Sequence, residues 1–311
     1  MTGGAGFIGR HLAASLLRHD FQITIVDIAN IPTELRKDPR VRYHRGSVLD
    51  DALMADLIPD SDLVIHLAGI ASPDRYGADP LETMDTNLVG ALAVSRKCAE
   101  FGVRILFSST SEVYGTNPDL PWHERADRVL GPVQNTRWCY STSKAAAEHY
   151  LDALRRKRGL DYTIVRLFNA YGAGLDGRVV DRFISAALEH RPLTVLGDGE
   201  QTRCFCYIDD VTDALTRLVL SPAGGGKTYN IGTDVETRII DFARLVIELT
   251  ASRSTIVTAP GRSLYEGYQD VPRRRPDISA IRRDLGWAPS TDLKAGLAAT
   301  IAAFRAEPAL T

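Results

Sequence analysis

The chain opens Met1-Thr2-Gly3-Gly4-Ala5-Gly6-Phe7-Ile8-Gly9 and continues into His11-Leu12-Ala13-Ala14-Ser15-Leu16-Leu17. Gly3, Gly6 and Gly9 make a G-x-x-G-x-x-G turn, followed by an apolar pattern of helical period. Glycines let the backbone approach a pyrophosphate closely. The helix that follows, opening at Phe7 and Ile8, offers unpaired N–H groups and the positive end of its dipole. Phe21-Gln22-Ile23-Thr24-Ile25-Val26-Asp27 then reads as a strand ending in an acid. Asp27 stands 18 residues after Gly9, where a carboxylate would accept a hydrogen bond from a ribose 2′-OH. No Arg or Lys follows it immediately, which favours NAD over NADP.

Outward from this nucleus, strand-like runs near 21–27, 41–45, 62–67, 103–109 and 162–168 alternate with helical runs near 7–19, 50–57, 80–101 and 141–158. That rhythm predicts an α/β fold, a Rossmann-type doubly wound parallel sheet with helices on both faces. Ligands of such sheets bind at the carboxyl ends of the strands. Ser47 and Val48 are therefore expected at the adenine edge, and Leu67, Ala68, Gly69 and Ser108 along the cofactor cleft. His66 is expected to pack within its strand. Only Met1 and Thr2 precede the glycine turn, so the first strand reads as truncated and the sheet as short of its middle strand. Residues 1–170 are expected to form the NAD-binding domain. After residue 170, helices near 178–190, 210–220, 239–250 and 292–305 alternate with short strands. Residues 171–311 are expected to be mainly a smaller substrate-binding lobe, with some segments returning to the sheet.

Composition bounds the class. The 311 residues are 44% hydrophobic with a net charge of −2, enough for a substantial core and no reason to expect nucleic-acid or membrane partners. No run reads as a transmembrane helix or signal peptide. Cys98, Cys139, Cys204 and Cys206 lack the spacing of a zinc site. Cys204 and Cys206 read as buried thiols of one strand, and a reducing, cytoplasmic setting fits all four.

Residues 139–145 are Cys-Tyr-Ser-Thr-Ser-Lys-Ala. On a helix, Tyr140 and Lys144 share a face. A lysine cation beside the phenol, with a positively charged nicotinamide, would favour the phenolate. Bringing the phenol from about 10 to about 7 takes roughly 4 kcal/mol, at about 1.4 kcal/mol per unit. The result would be a base able to take a proton from a sugar hydroxyl during hydride transfer.

Four stretches fit one group: Thr2 to Gly9; Ser108-Ser109-Thr110-Ser111-Glu112-Val113-Tyr114-Gly115; Tyr140 to Lys144; and Arg166-Leu167-Phe168-Asn169-Ala170-Tyr171-Gly172. Asp176 to Val180, Leu193 to Gly199, Gln201 to Phe205 and Arg274 to Ile278 extend the match across the chain. The sequence resembles the extended short-chain dehydrogenase/reductases that act on nucleotide sugars, the NAD-dependent epimerases and dehydratases. Within them it is most similar to UDP-glucuronate decarboxylases, through Thr110-Ser111-Glu112 and Gly131 to Tyr140. It departs from many of those in carrying Ser141-Thr142-Ser143 where they have Asp-Glu-Gly.

The resemblance implies NAD as cofactor and a UDP-sugar as substrate. It also implies a homodimer built through helices near 86–101 and 141–158, with Ala145, Ala146 and Ala147 on their outward faces. Thr110 and Tyr140 would engage the C4 hydroxyl, Lys144 would hold the phenolate, and Glu112 would manage a proton at C5. Ser111, Asn169, Arg178, Arg203 and Arg274 would bind substrate: Arg203 and Asn169 at the diphosphate, Arg274 near the carboxyl-bearing carbon. The 4-keto product of C4 oxidation would lose CO₂ from a uronate. A 4-epimerase, a 4,6- or 5,6-dehydratase and a non-catalytic nucleotide-binding protein are the rival readings.

Overall fold

A computed structural model of the chain describes residues 1–221, 225–260 and 271–306. Its framework is one parallel sheet built from β-branched, two-sided strands. β1 (Ile23–Asp27) pairs with β2 (Val41–Arg45), Ile23 opposite Val41. On the other side β3 (Leu63–His66) pairs with β4 (Arg104–Thr110), β4 with β5 (Tyr162–Leu167), and β5 with β6 (Lys227–Ile231). β4 is buried at every position after its first, because helices cover both faces of a parallel sheet.

The expected gap in the middle of the sheet is bridged by two residues. Thr2 lies between β1 and β3, opposite Val26 on one side and His66 on the other. Its N–H donates to the Ile65 carbonyl at 2.9 Å and its carbonyl accepts from Leu67 at 3.0 Å. The Val26 N–H donates to Met1, and the Gly3 N–H donates back to Val26. The chain leaves Thr2 toward β1 and β2 on one flank and later builds β3 to β6 on the other. The strand order therefore reverses at Thr2, and a crevice opens there at the carboxyl ends of the strands.

α1 (Phe7–Leu17) starts at this crevice. It packs through Leu12, Leu16 and Leu17 on β1 and on α2 (Ile208–Leu220) of the C-terminal half, within one apolar cluster. The other face of the sheet is covered by the helix Gly90–Phe101 and by α3 (Arg137–Arg158), through Val94, Cys98, Ala147 and Leu151. Both helices end on a left-handed glycine, Gly102 (φ 70°) and Gly159 (φ 72°). Those are conformations a side chain resists and glycine does not.

A second apolar cluster gathers Phe183, Ile184, Val195, Phe205, Phe242 and Leu297. It binds the helices Val179–Leu188, Ile239–Thr250 and Leu293–Ala306 to a parallel pair of strands, Leu193–Leu196 and Ile256–Ala259. Between the helices of this lobe, α2 and β6 return to the large parallel sheet.

Ala145 and Ala147 point inward, at 8% and 2% exposure. They therefore do not form the outward face expected of them, because they pack on the sheet and its neighbouring helix. Cys98, Cys204 and Cys206 are buried free thiols.

The glycine turn gives the first test. A Cβ on Gly9 would stand 2.2 Å from the Gly3 carbonyl oxygen and 2.7 Å from Gly4 Cα, both backbone atoms. Gly9→Ala is expected to cost at least about 1–3 kcal/mol, the usual price of overpacking, and to lower the calorimetric unfolding temperature. An unchanged transition would refute this packing.

Candidate active site

The crevice has two rims. One is the glycine turn. A Cβ on Gly3 would meet Ala68 N at 2.5 Å, so Gly3 must be bare for Leu67–Ala68 to close against it. Gly6, by contrast, would meet only its own turn, Gly3 O at 3.3 Å. No side chain caps α1, so its first N–H groups face the crevice, as anion binding requires. At the end of β1, Asp27 accepts from the Ala5 and Ala29 N–H groups at 2.9 and 3.0 Å. Each carboxylate oxygen keeps a further lone pair for a ribose hydroxyl. Ser47 and Val48 follow β2, which runs in register with β1 up to Asp27–Arg45. Val48 is buried against Gly90.

The other rim is Leu67, Ala68 and Gly69 after β3. Asn87, fully buried on a π-turn, clasps the next residue: Ile70 N–H donates to its Oδ1 at 2.7 Å and its Nδ2 donates to the Ile70 carbonyl at 2.8 Å. Sequence reasoning missed Asn87. The clue available was a polar residue inside an otherwise apolar helix face. A Cβ on Gly69 would come within 3.3 Å of Lys144 Nζ, so this rim leads directly to the catalytic candidates. His66 lies beneath it, fully buried, its Nδ1 hydrogen-bonded to Thr2 Oγ1 at 2.8 Å. Burial, then the charge of Lys144, lowers its pKa to about 3, so it is a neutral packing residue. These features fit a dinucleotide: a bare glycine cradle, an uncapped helix start and an acid at the end of β1.

The tip of β4 and α3 hold the remaining groups. Lys144 Nζ donates to the Ser108 carbonyl at 2.8 Å, and Thr110 hydrogen-bonds the Tyr140 phenol. One turn beyond Lys144, Glu148 accepts from the Ser109 hydroxyl, from Arg128 and from Arg166 at 3.0 and 2.6 Å. Arg166 also donates to Tyr114 Oη at 2.8 Å, and Tyr114 Oη donates to Asn230 at 2.7 Å. Tyr140, Lys144 and Glu148 thus grip the consecutive strand residues Ser108, Ser109 and Thr110. Tyr76, buried, stacks on Tyr140 with ring centroids 5.3 Å apart and planes 3° from parallel. Glu148 and Tyr76 were not singled out in the sequence, since neither belongs to a short motif.

The electrostatics correct one expectation. Burial pushes the Tyr140 phenol above its ordinary pKa of 10; the Thr110 hydrogen bond and Arg178 pull the other way, and Glu112 adds to the rise. The cation acting on the phenol is Arg178, because Lys144 points at the Ser108 carbonyl. Burial lowers Lys144 itself to about 8, against an upward pull from Glu148.

Glu112 sits in the turn Ser111–Tyr114 after β4, with Ser111 buried beside it. One carboxylate oxygen accepts from Arg137 at 2.8 Å and the other from Arg274. Burial raises its pKa, but the two guanidiniums outweigh burial and hold it at about 2. The neighbouring arginines of the run 273–275 point to separate partners. Arg273 instead pairs with Glu236, and the Arg275 backbone anchors Trp122. Arg178 reaches from the second lobe to the Ala71 carbonyl at 2.5 Å, beside Tyr140 and not on a surface acid. Arg203 and Asn169 lie close together: Asn169 Nδ2 donates to the Cys204 carbonyl at 3.3 Å, and Arg203 to the Thr202 carbonyl at 2.7 Å. Among the described residues no group of three His, Cys, Asp or Glu side chains is arranged to hold a metal, and no helix is long and apolar enough to cross a membrane.

Residues 1–232 match the model of the NAD dependent epimerase/dehydratase family. UDP-glucuronic acid decarboxylase 1 of Danio rerio is 35% identical over 310 residues, 99% of this chain and 72% of that protein. UDP-N-acetyl-alpha-D-glucosaminuronate decarboxylase of Bacillus cytotoxicus is 35% identical over 320 residues, 98% of this chain and 97% of that one. Among solved structures, the UDP-glucose 4-epimerase of Thermotoga maritima, determined with UDP-glucose, superposes with a TM-score of 0.88 at 30% identity, over 98% of this chain and 97% of that one.

Two tests follow from the buried charges. Glu148→Gln leaves Arg166 buried without its counter-charge and is expected to cost about 3–5 kcal/mol in urea unfolding. Ser109→Ala removes one hydroxyl donor and should cost only about 1.5–3 kcal/mol, as expected for a bond to a charged group. Equal, small losses would contradict the network. Glu112 is held at about 2 against an ordinary 4.5. Its ion pairs therefore contribute stability that is complete above pH 4.5 and is lost as pH falls toward 2. The stability gap between wild type and Glu112→Gln should shrink across that window, and a constant gap would be the contrary result.

Proposed function

The chain belongs to the NAD dependent epimerase/dehydratase family, and from that membership we propose that it is an NAD-dependent UDP-glucuronate decarboxylase. The observation that carries the reading is the Glu112 clamp: two guanidiniums share one carboxylate beside the base candidate. The pair brings two guanidiniums to the place where a substrate carboxylate would sit. A neutral hexose has no use for that charge, whereas a uronate does.

NAD would be held by Gly3, Gly6, Gly9, Phe7, Ile8, Asp27, Ser47, Val48, Leu67, Ala68, Gly69 and Ser108, and when bound it supplies the hydride acceptor for oxidation at C4. Tyr140 takes the C4 hydroxyl proton, with Thr110 orienting that hydroxyl. Lys144, fixed on the Ser108 carbonyl, holds its positive charge on the side of the phenol where a nicotinamide ribose would lie. Once C4 is a ketone, the C6 carboxylate is β to it, and loss of CO₂ places electrons on the C4 oxygen. Tyr140, now protonated, hydrogen-bonds that enolate oxygen. Glu112 and Arg274 flank C5, where a proton must be delivered. A carboxylate held near 2 is a weak proton donor, so the proton at C5 comes from a water held by Glu112 and Arg274, which is left as hydroxide and reprotonated from solvent. Ser111, Asn169, Arg178 and Arg203 complete the substrate site. Assembly as a homodimer through the helices near 86–101 and 141–158, in a cytoplasmic setting, belongs to the same proposal. Val89, 50% exposed, supports the dimer face.

The test incubates the protein with UDP-glucuronate and NAD⁺ and follows products by mass. Loss of CO₂ is the expected outcome. An unchanged mass with inverted stereochemistry at C4 would make the protein an epimerase, and loss of water from a neutral UDP-hexose a dehydratase. UDP-N-acetylglucosaminuronate, run in parallel, reads the preference at C2 suggested by the Bacillus relative. Tyr140→Phe should lower kcat by about 10²–10⁴-fold with NAD binding retained. Undiminished turnover would remove the phenol from the mechanism.

A further inference from the structure

The loop 172–178 joins the two rims of the crevice. At its start, two side chains of α1 hold its backbone: His11 Nε2 lies 2.9 Å from the Ala173 carbonyl oxygen, and the Arg10 guanidinium donates to the Gly174 carbonyl. At its end, Arg178 donates to the Ala71 carbonyl at 2.5 Å, and a Cβ on Gly177 would stand 3.5 Å from Ser72 Oγ. Asp181, buried, fixes this end by accepting from the Gly177 and Arg178 N–H groups at 2.9 and 2.7 Å. Gly174 and Gly177 have φ of 75° and 71°, a conformation that side chains resist. A Cβ on Gly174 would also overlap the Arg10 guanidinium. The loop is thus a strap running from the start of α1 to the residues after Gly69, and at both ends it is tied through backbone carbonyls.

Arg10 is the tie that a bound anion would strengthen. Its N–H makes the first bond of α1, to the Gly6 carbonyl at 3.1 Å, and a helical side chain leans toward the N-terminus of its helix. Its cation therefore adds to the positive end of the α1 dipole. With the strap in place, its Nε is buried without a hydrogen-bond partner, and among the described residues no carboxylate pairs with it. Enclosing a cation without a counter-charge is unfavourable. A diphosphate at the start of α1 supplies that counter-charge. We propose that Arg10 is the latch of a strap, 172–178, that closes the second lobe over the bound dinucleotide and sets how long the dinucleotide is retained. Closing and binding favour each other by the same factor, because the linkage is reciprocal. The latch needs only the dinucleotide site and is independent of which sugar is turned over.

Release of NADH from the whole protein, followed by its fluorescence with excess NAD⁺ to prevent rebinding, reads the latch without any sugar present. Arg10→Met keeps the aliphatic stem and removes the guanidinium. It should release NADH about 10–100-fold faster, the range for losing one hydrogen bond from a charged donor. Gly174→Ala leaves the charge of Arg10 in place and displaces the carbonyl it holds, so it should also speed release by about 10-fold or more. The double variant should release no faster than Arg10→Met alone, because both changes break one contact. Amide hydrogen exchange reads the strap itself. In wild type, saturating NAD⁺ should slow exchange at Ala173 to Gly177. In either variant that protection should be largely lost while protection of β4 is kept, which shows that the fold is intact. Release as slow as wild type in both variants overturns the latch. Fast release in Arg10→Met with wild-type release in Gly174→Ala would assign Arg10 to charge attraction alone and overturns it equally. Strap exchange in wild type that is the same with and without NAD⁺ overturns the coupling.

Discussion

The register of α3 against the tip of β4 is the constraint on which the site depends. Tyr140, Lys144 and Glu148 lie one turn apart and are tied to Thr110, the Ser108 carbonyl and the Ser109 hydroxyl. A helix repeats every 3.6 residues and a strand every 2, so this match holds at only one axial position. Glu148 fixes that position most strongly, because its partner Arg166 is on β5 and is itself tied through Tyr114 to β6. Slippage of the helix would break a buried ion pair as well as displace the phenol. The groups proposed for chemistry are therefore held by groups that do none.

The same arrangement explains the charges. His66, Tyr140, Lys144 and Glu148 are buried and Glu112 largely so, and burial alone would favour the neutral form of each. Where guanidiniums are paired in, as at Glu112 and Glu148, the carboxylate stays charged. Where they are not, the neutral form gains, as for His66 and the Tyr140 phenol. The lobes meet at this crevice through Arg178 on Ala71 and through His11 on the Ala173 carbonyl at 2.9 Å. Ligand binding there would be felt by both.

Much of the fold was legible because it rests on short-range rules. The glycine turn, the β-branched run ending in Asp27 and the alternation of strand and helix each announce themselves within a few residues. The sheet's bridging pair at Met1 and Thr2 was not legible, since two residues carry no periodicity. Within the site, motif residues such as Thr110, Tyr140 and Lys144 were accessible from spacing. Their supports were not: Glu148 finds Arg166 18 residues later, Glu112 finds Arg274 162 residues later, and Asn87 acts across a crevice the sequence does not draw. The inward turn of Ala145 and Ala147 was misjudged because small residues suit both a dimer face and a tight intrachain contact. The expected effect of Lys144 on Tyr140 failed for a similar reason. Sharing a helix face does not fix where a long side chain sends its ammonium.

The central claim is that the Tyr140 phenol, raised by burial in the protein alone, becomes an effective base only when the dinucleotide's positive ring joins the site. Titrating Tyr140 by NMR of ring-labelled tyrosine, with and without saturating NAD⁺, tests this directly, with Tyr140→Phe to assign the signal. The account predicts a midpoint above the ordinary value of 10 in the free protein and a marked fall when NAD⁺ is bound. A midpoint that stays high in the saturated complex would contradict it.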